Sequence, residues 1–240
     1  MSTPRAYTEL ARWWPLFSPP SHYVEEAADL LPTILSAPTP APRTLLELGS
    51  GGGSLAFHLK PHLALTLTDI SPQMLEVNKA VNPECEHIVG DMRSLDLGRT
   101  FDVVLVHDAI MYATDPASLR ETMATAYRHL RPGGAAIFVP DCVKETFAPA
   151  TEHGGEDGAD GRGFRYLEWT WDPDPSDDTC EVAFAFLLRE SDGSVSVELD
   201  RHQFGVFPRH AWFGWLQEAG FTATSRIDPW GRDVFVARRD

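Results

Sequence analysis

Short apolar runs alternate with helical patterns through the middle of this chain. Residues 43–48 (RTLLEL) form an apolar strand that ends at a glycine cluster, and 54–60 open a helix that Pro61 stops. Residues 64–68 (ALTLT) are a second strand. Ser71-Pro72 then starts a helix, with Ser as N-cap and Pro at the first helical position, where its missing N–H costs nothing. Residues 87–89 are a short third strand, and 101–106 (FDVVLV), β-branched and bounded by polar residues, a buried fourth. Residues 117–130 read as a helix that stops at Arg131-Pro132-Gly133-Gly134, and 135–140 (AAIFVP) as a fifth strand. Strands alternating with helices predict an α/β fold built on a parallel, doubly wound sheet.

The flanks differ. Residues 1–42 are aromatic and Pro-rich, with one helical stretch at 23–35, and are expected to form an N-terminal helical cap. Residues 142–207 are acidic, Gly-rich and aromatic. Within them 163–171, 181–188 and 194–204 look like antiparallel strands, separated by turns at Pro173–Ser176 and Ser191-Asp192-Gly193. An antiparallel β insertion is therefore expected between the fifth strand and the last helix, acting as a substrate lid or a homodimer contact. Residues 208–240 return to helix then strand and should join 43–141 to complete the core. No repeat of solenoid or propeller period is present.

The chain has 240 residues, 43% of them hydrophobic and 23% charged, which suits a folded domain with a sizeable core. Its net charge of −15 is wrong for nucleic acid and for anionic membrane surfaces, both of which are bound through Lys and Arg. The three cysteines, Cys85, Cys142 and Cys180, are odd in number and widely spaced; no disulfide framework or cysteine-type zinc site follows. The N-terminus lacks the apolar core of a signal peptide, and no apolar run approaches the ~18 residues of a spanning helix. A cytoplasmic protein is expected.

The strongest chemical signal is Glu47-Leu48-Gly49-Ser50-Gly51-Gly52-Gly53, at a strand-to-helix passage where glycines let a ligand lie against bare backbone. In a dinucleotide fingerprint counted from Gly49, the third glycine falls on Ser54. Here the spacing is acid-x-Gly-x-Gly-x-Gly. A carboxylate ahead of the glycines repels a pyrophosphate and suits a cationic ligand, such as an amino group or a sulfonium. Asp69, at the end of the second strand, is placed to accept from a ribose diol. Asp91, in Gly90-Asp91-Met92 at the end of the third, can take the exocyclic amine of adenine. Three acids thus line the carboxyl edge, where open α/β sheets bind ligands.

In their order, LLELGSGGGS, TDISPQML, GDM, FDVVLVHD and LRPGGAAIFVPD resemble the class I S-adenosylmethionine-dependent methyltransferases, over residues 43–141 and more weakly 208–240. The resemblance implies a Rossmann-like methyltransferase sheet with S-adenosylmethionine as cofactor. It places Glu47 near the methionine amine, with Gly49, Ser50 and Gly51 under its backbone. Asp69 would bind the ribose, Ile70 and Met74 the adenine, Asp91 adenine N6, and Met92 the ring face. His107 would flank the reaction centre, and Tyr23 matches a cofactor-side tyrosine. Within the family the chain is similar to uncharacterised bacterial small-molecule methyltransferases and, more distantly, to deoxyamino-sugar N-methyltransferases. Those sugar enzymes carry a His shortly after the fourth strand; here that position is Ala113, with Tyr112 beside it.

The implied activity is methyl transfer to a small-molecule amine or hydroxyl. Positioning can do most of the work, and a base that takes the acceptor's proton adds ~10²–10⁴-fold. Candidates are Asp141, His107 and His153. The stretch from Glu152 to Asp160 is too Gly-rich to scaffold a hard-cation site, so no metal is expected. Trp169 and Trp171 share a strand face, as a cage for a cationic substrate, or as core packing or a dimer contact. Tyr7, Trp13, Trp14, Phe17 and Tyr23 close over the cofactor or pack against the sheet. Two other readings stay open: an NAD-dependent reductase, and a non-catalytic S-adenosylmethionine-binding module.

Overall fold

The computed structural model describes residues 4–240. Its strands are β1 (Thr44–Leu48), β2 (Ala64–Asp69), β3 (Glu86–Val89), β4 (Phe101–Val106), β5 (Leu130–Phe138), β6 (Ala150–Gly154), β7 (Gly163–Trp171), β8 (Thr179–Arg189), β9 (Val195–Gly205), β10 (Thr222–Ile227) and β11 (Asp233–Arg238). Its α-helices are α1 (Trp14–Phe17), α2 (Val24–Ser36), α3 (Ala56–Leu59), α4 (Pro72–Val81), α5 (Pro116–Arg128) and α6 (Arg209–Glu218).

One sheet runs β10-β11-β5-β4-β1-β2-β3. The strands β1 to β5 are parallel, while β11 is antiparallel to both β5 and β10. Because β1 lies between β2 and β4, the chain reverses its direction of travel there, and a crevice opens beyond the ends of β1 and β4. Both faces of the sheet are covered, as the apolar runs of its strands require. Helices α5 and α6 bury Leu119, Met123, Trp212 and Leu216 on one face. On the other, α2 presents Ala27, Leu30 and Ile34 at helical spacing to Leu45, Leu67 and Leu105. Ser71 caps α4 as its sequence suggests, accepting from the Met74 N–H at 3.1 Å.

Three expectations need correction. The stop at Arg131–Gly134 does not separate helix from strand. Helix α5 has already ended at Arg128, and these residues form a bulge inside β5, with Leu130 opposite Phe101 and Ala135 opposite Val103. A bulge takes Pro132, which has no N–H for the ladder, out of register, and lets Arg131 reach Asp102 Oδ1 at 2.6 Å. The Gly-rich stretch after residue 149 is likewise not all loop: 150–154 pair with β7 as β6, an edge strand too polar to announce itself. The final segment also holds two strands, β10 and β11, rather than one.

A second sheet, β6-β7-β8-β9, is antiparallel throughout. Its inner face carries Phe164, Val182, Phe184, Phe186 and Leu188, which pack on Ala6, Trp13 and Leu16. The segment 4–23, mostly 3-10 turns and α1, is therefore held between the two sheets. Ser54 Oγ donates to the Ser18 carbonyl at 2.5 Å on the core side, and the Ala6 N–H donates to Asp200 Oδ2 at 2.7 Å on the lid side. Trp13, 1% exposed, lies between the guanidinium groups of Arg12 and Arg162. Trp13→Ala should cost about 3–5 kcal/mol. Limited chymotrypsin digestion should then cut within 4–23 before it cuts the core, whereas the parent protein should resist there.

Candidate active site

The passage from β1 into the glycine loop is built for close approach. Gly49 and Ser50 N–H groups both donate to the Thr68 carbonyl, at 2.9 and 2.8 Å. Gly49 sits at φ 75°, and a Cβ on it would fall 2.3 Å from the Ala109 Cβ, so no other residue fits. Buried Asn78 of α4 and Asn82, the residue that caps its C-terminus, tie the loop down, donating to the Gly51 and Gly53 carbonyls at 3.1 and 3.0 Å. Trp14 lies against Gly52, which brings the N-terminal segment over the loop.

The three strand-end acids occupy different environments. Glu47 is 3% exposed, and its Oε2 has no hydrogen-bond partner. Burial first, and the charge of Asp69 second, push its carboxyl up to about 8. Asp69 accepts from the Gly51 N–H at 2.9 Å and the Ser71 N–H at 2.8 Å; burial still raises its pKa against those bonds. Asp91 is half-buried and bound by Arg93 at 2.6 Å, which holds its carboxyl below the usual range. Met74 is buried with its methyl toward Gly51, Ile70 is exposed, and Met92 packs partly against the core beside Leu95. Tyr23 shares a 2.9 Å hydrogen bond with Ser18 and sets its ring edge-on to His107. Burial pushes its phenol up to about 12.

The end of β4 and the start of the lid supply the other half of the site. His107 is buried, with Nε2 2.6 Å from Glu26 Oε1 and Nδ1 against Asp108. Nε2 is thus committed to Glu26. Glu26 also pairs with Arg232. Burial works against the Glu26 charge, but His107 and Arg232 outweigh it and hold the carboxyl at about 2. Asp141 is exposed yet closely surrounded by protein, which raises its pKa, with His107 and Arg232 partly opposing. A cavity of about 610 Å³ opens beside them, lined by Glu25, Glu26, Glu152, Trp230 and Arg232 among others.

His153 is not among these groups, which corrects its place as a candidate base. It alternates onto the outer face of the lid, opposite Leu167, and is exposed. Trp169 and Trp171, 4.8 Å apart, lie on the same outward face and form no cage at the site. Glu168 was invisible as a site residue in sequence. It faces inward opposite Glu152, and burial first, then Glu152 and Asp141, push its carboxyl up to about 7. Only the period-two alternation of 163–171 could have singled it out. Glu26 and Arg232 carried no local signal, being 206 residues apart and joined only by the fold.

Residues 45–134 match the Methyltransf_25 family, a methyltransferase domain. A dTDP-3-amino-3,4,6-trideoxy-alpha-D-glucopyranose N,N-dimethyltransferase of Streptomyces venezuelae is 31% identical over 128 residues, 52% of this chain and 54% of that enzyme. A dTDP-3-amino-3,6-dideoxy-alpha-D-glucopyranose N,N-dimethyltransferase of Streptomyces fradiae is 24% identical over 89% of this chain and 84% of its own length. The chain thus spans about half the length of the first and most of the second. Residues 45–134 are thus a methyltransferase domain. The fold agrees: CalS10, an amino pentose methyltransferase from Micromonospora echinaspora solved with S-adenosylmethionine bound, superposes with a TM-score of 0.76 at 24% identity, over 91% of this chain and 92% of its own. A methyltransferase domain on the glycine loop sets the nicotinamide alternative aside.

The residues of this methyltransferase fit S-adenosylmethionine. A buried carboxylate oxygen without a partner at the glycine loop is what an ammonium group would satisfy, and positive-φ glycines leave the backbone bare beside it. Without a ligand, Glu47 is a liability. The unfolded chain ionises it near ~4.3, the folded chain only near about 8, so stability drains as pH climbs between those values. Glu47→Gln should therefore stabilise the ligand-free protein by roughly 1–3 kcal/mol at pH 7.5 and leave it unchanged at pH 4. Urea denaturation at the two pH values reads the difference.

Proposed function

We propose that this chain transfers a methyl group from S-adenosylmethionine to the amine nitrogen of a small-molecule acceptor. The observation that carries this reading is the buried Glu47 carboxylate oxygen left without a partner beside the positive-φ glycines, with Asp69 at the end of the neighbouring strand. In this reading Glu47 holds the methionine amine, over Gly49, Ser50 and Gly51. Asp69 holds the ribose; Asp91, Met92, Ile70 and Met74 surround the adenine; Tyr23 and His107 close the methionine end. When bound, S-adenosylmethionine supplies a methyl on a sulfonium, an electrophile that needs no further activation. The chain's own residues exclude water, orient the acceptor and hold its proton. Glu168 suits the last task, because its carboxyl is pushed up to about 7 and its cross-strand neighbour Glu152 lines the cavity; Asp141, whose pKa burial also raises, is the second candidate. The amino-sugar N,N-dimethyltransferases among the relatives support an amine acceptor. The three cysteines, all unpaired, favour a cytoplasmic setting.

Calorimetry with S-adenosylmethionine should show that Asp69→Ala and Glu47→Gln each weaken binding at least about tenfold, ~1.4 kcal/mol. Mass spectrometry should show one or two methyl groups added to dTDP-3-amino-3,6-dideoxyglucose or to 3-amino-3-deoxyglucose, and none to their 3-hydroxy analogues. Methylation of the hydroxy compounds alone would overturn the amine reading. Equal cofactor binding by parent and variants would overturn the crevice assignment.

We also propose that residues 142–207 serve as a lid on their inner face and a homodimer contact on their outer face. Leu167, Trp169, Leu187, Val195, Val197 and Leu199 lie together there, 46–69% exposed, across three adjacent strands. Sedimentation should give a dimer for the parent and a monomer for Val197→Lys; a monomeric parent would remove this role.

A further inference from the structure

Four side chains from three distant parts of the chain form a polar line through the join between lid and core. Asp200 and His202 lie on the inner face of β9, 7% and 4% exposed. Tyr112 ends the 3-10 turn Asp108–Tyr112 that follows β4, and Tyr7 belongs to the segment over the glycine loop. Asp200 Oδ2 is 3.2 Å from His202 Nε2, off the line of a good hydrogen bond. His202 Nδ1 is 2.7 Å from the Tyr112 hydroxyl, which donates to the Tyr7 hydroxyl oxygen at 2.9 Å. A phenol has one proton. With that of Tyr112 given to Tyr7, His202 Nδ1–H must be the donor to Tyr112, so the line has a direction.

That direction leaves the Tyr7 hydroxyl as its free end, with one lone pair and its own proton unassigned. The fields of Asp69 and Asp141 both reach this hydroxyl, and the Tyr7 carbonyl accepts from Ser71 Oγ at 2.5 Å, two residues beyond Asp69. Its ring packs on Trp14, which covers Gly52. Tyr7 therefore stands between the glycine loop, through Trp14 and Ser71, and the second sheet, through Tyr112 and His202. The contact that builds the line is unusually close: a Cβ on Gly205, at the end of β9, would fall 1.9 Å from the Ala113 carbonyl oxygen. Phe184 and Phe204 wall the His202 ring at 4.9 and 6.0 Å and keep water from competing.

We propose that His202 and Tyr112 are positioning residues that fix the Tyr7 hydroxyl, whose free lone pair accepts an N–H of the acceptor and turns the nitrogen's own lone pair toward the methyl group. The lid thereby orders the reaction centre through a directed hydrogen-bond line as well as by covering it. This inference rests on the amine reading above.

With the amine that the mass assay identifies, Tyr112→Phe, Tyr7→Phe and His202→Leu should each lower kcat about tenfold, with KM for S-adenosylmethionine unchanged within about twofold. The double variant Tyr7→Phe/Tyr112→Phe should be no slower than either single, because the residues act as one unit. His202→Asn, whose amide nitrogen can stand in for Nδ1, should recover most of the rate that His202→Leu loses. Singles that leave kcat unchanged, effects that multiply in the double, or an Asn variant no better than Leu would each overturn the proposal. Spectra of protein labelled with ¹⁵N-histidine give a readout that needs no acceptor: Nδ1 of His202 should be protonated, and its resonance should move in Tyr112→Phe. Parent protein inert toward every amine would defeat the amine reading alone. The spectrum then decides the line, and a bare Nδ1, or one indifferent to Tyr112→Phe, would overturn it.

Discussion

An ionisable group shut away from water without a partner is the constraint around which this protein is organised. Glu47 sits at the end of β1 because β1 is the strand where the sheet reverses its order, and only there does a crevice open between neighbouring strand ends. The same strand must then leave the sheet through a loop whose amides are already committed to Thr68 and whose carbonyls are committed to Asn78 and Asn82. The Glu47 Oε2 is left without a partner. The protein carries an unfavourable group that a cationic ligand would relieve, and binding gains what folding gives up. The rest of the molecule can be understood as what holds that arrangement rigid and covers it.

The covering is a matter of long-range contacts. Segment 4–23 has no independent core: its aromatic residues are buried by Phe164, Phe184 and Phe186 of the lid, and its polar backbone is satisfied by Ser54, Ser71 and Asp200. It is thus fastened to core and lid at once, and neither could move without the other. The acidic balance of the chain gains a location in the same way. Glu26, Asp141, Glu152 and Glu168 lie within reach of one another's charge, and the nearby Arg232 is engaged by Glu26 and Asp228.

How far the molecule could be read from its sequence follows the range of the interactions involved. Strands β1, β2 and β4 and the Ser71 cap rest on local pattern and were legible, because an apolar run or an N-cap declares itself within a few residues. Glu47, Asp69 and Asp91 were legible as a row of strand-end acids for the same reason. The bulge at Arg131–Gly134 was misread because Pro and Gly end a helix and interrupt a strand with equal ease, and only pairing with β4 distinguishes the two. Edge strand β6 was missed because its residues are polar and one of its sides has no partner. His153 was misplaced with it, since the direction of a strand side chain is defined only once the strand is known.

The reaction side was the least legible part, for a reason that bears on how such enzymes diverge. His107, Glu26 and Arg232 meet from three regions of the chain, and the Asp200–His202–Tyr112–Tyr7 line from three others. Each residue alone is an ordinary polar side chain at an unremarked position. What makes them a site is the docking of an antiparallel sheet against a parallel one, controlled by contacts as tight as Gly205 on Ala113. A cofactor edge built from consecutive strand ends stays readable because its spacing is set by the sheet itself. An acceptor site assembled across two sheets can be rebuilt by changing either partner, while the glycine loop and its carboxylate stay where they are.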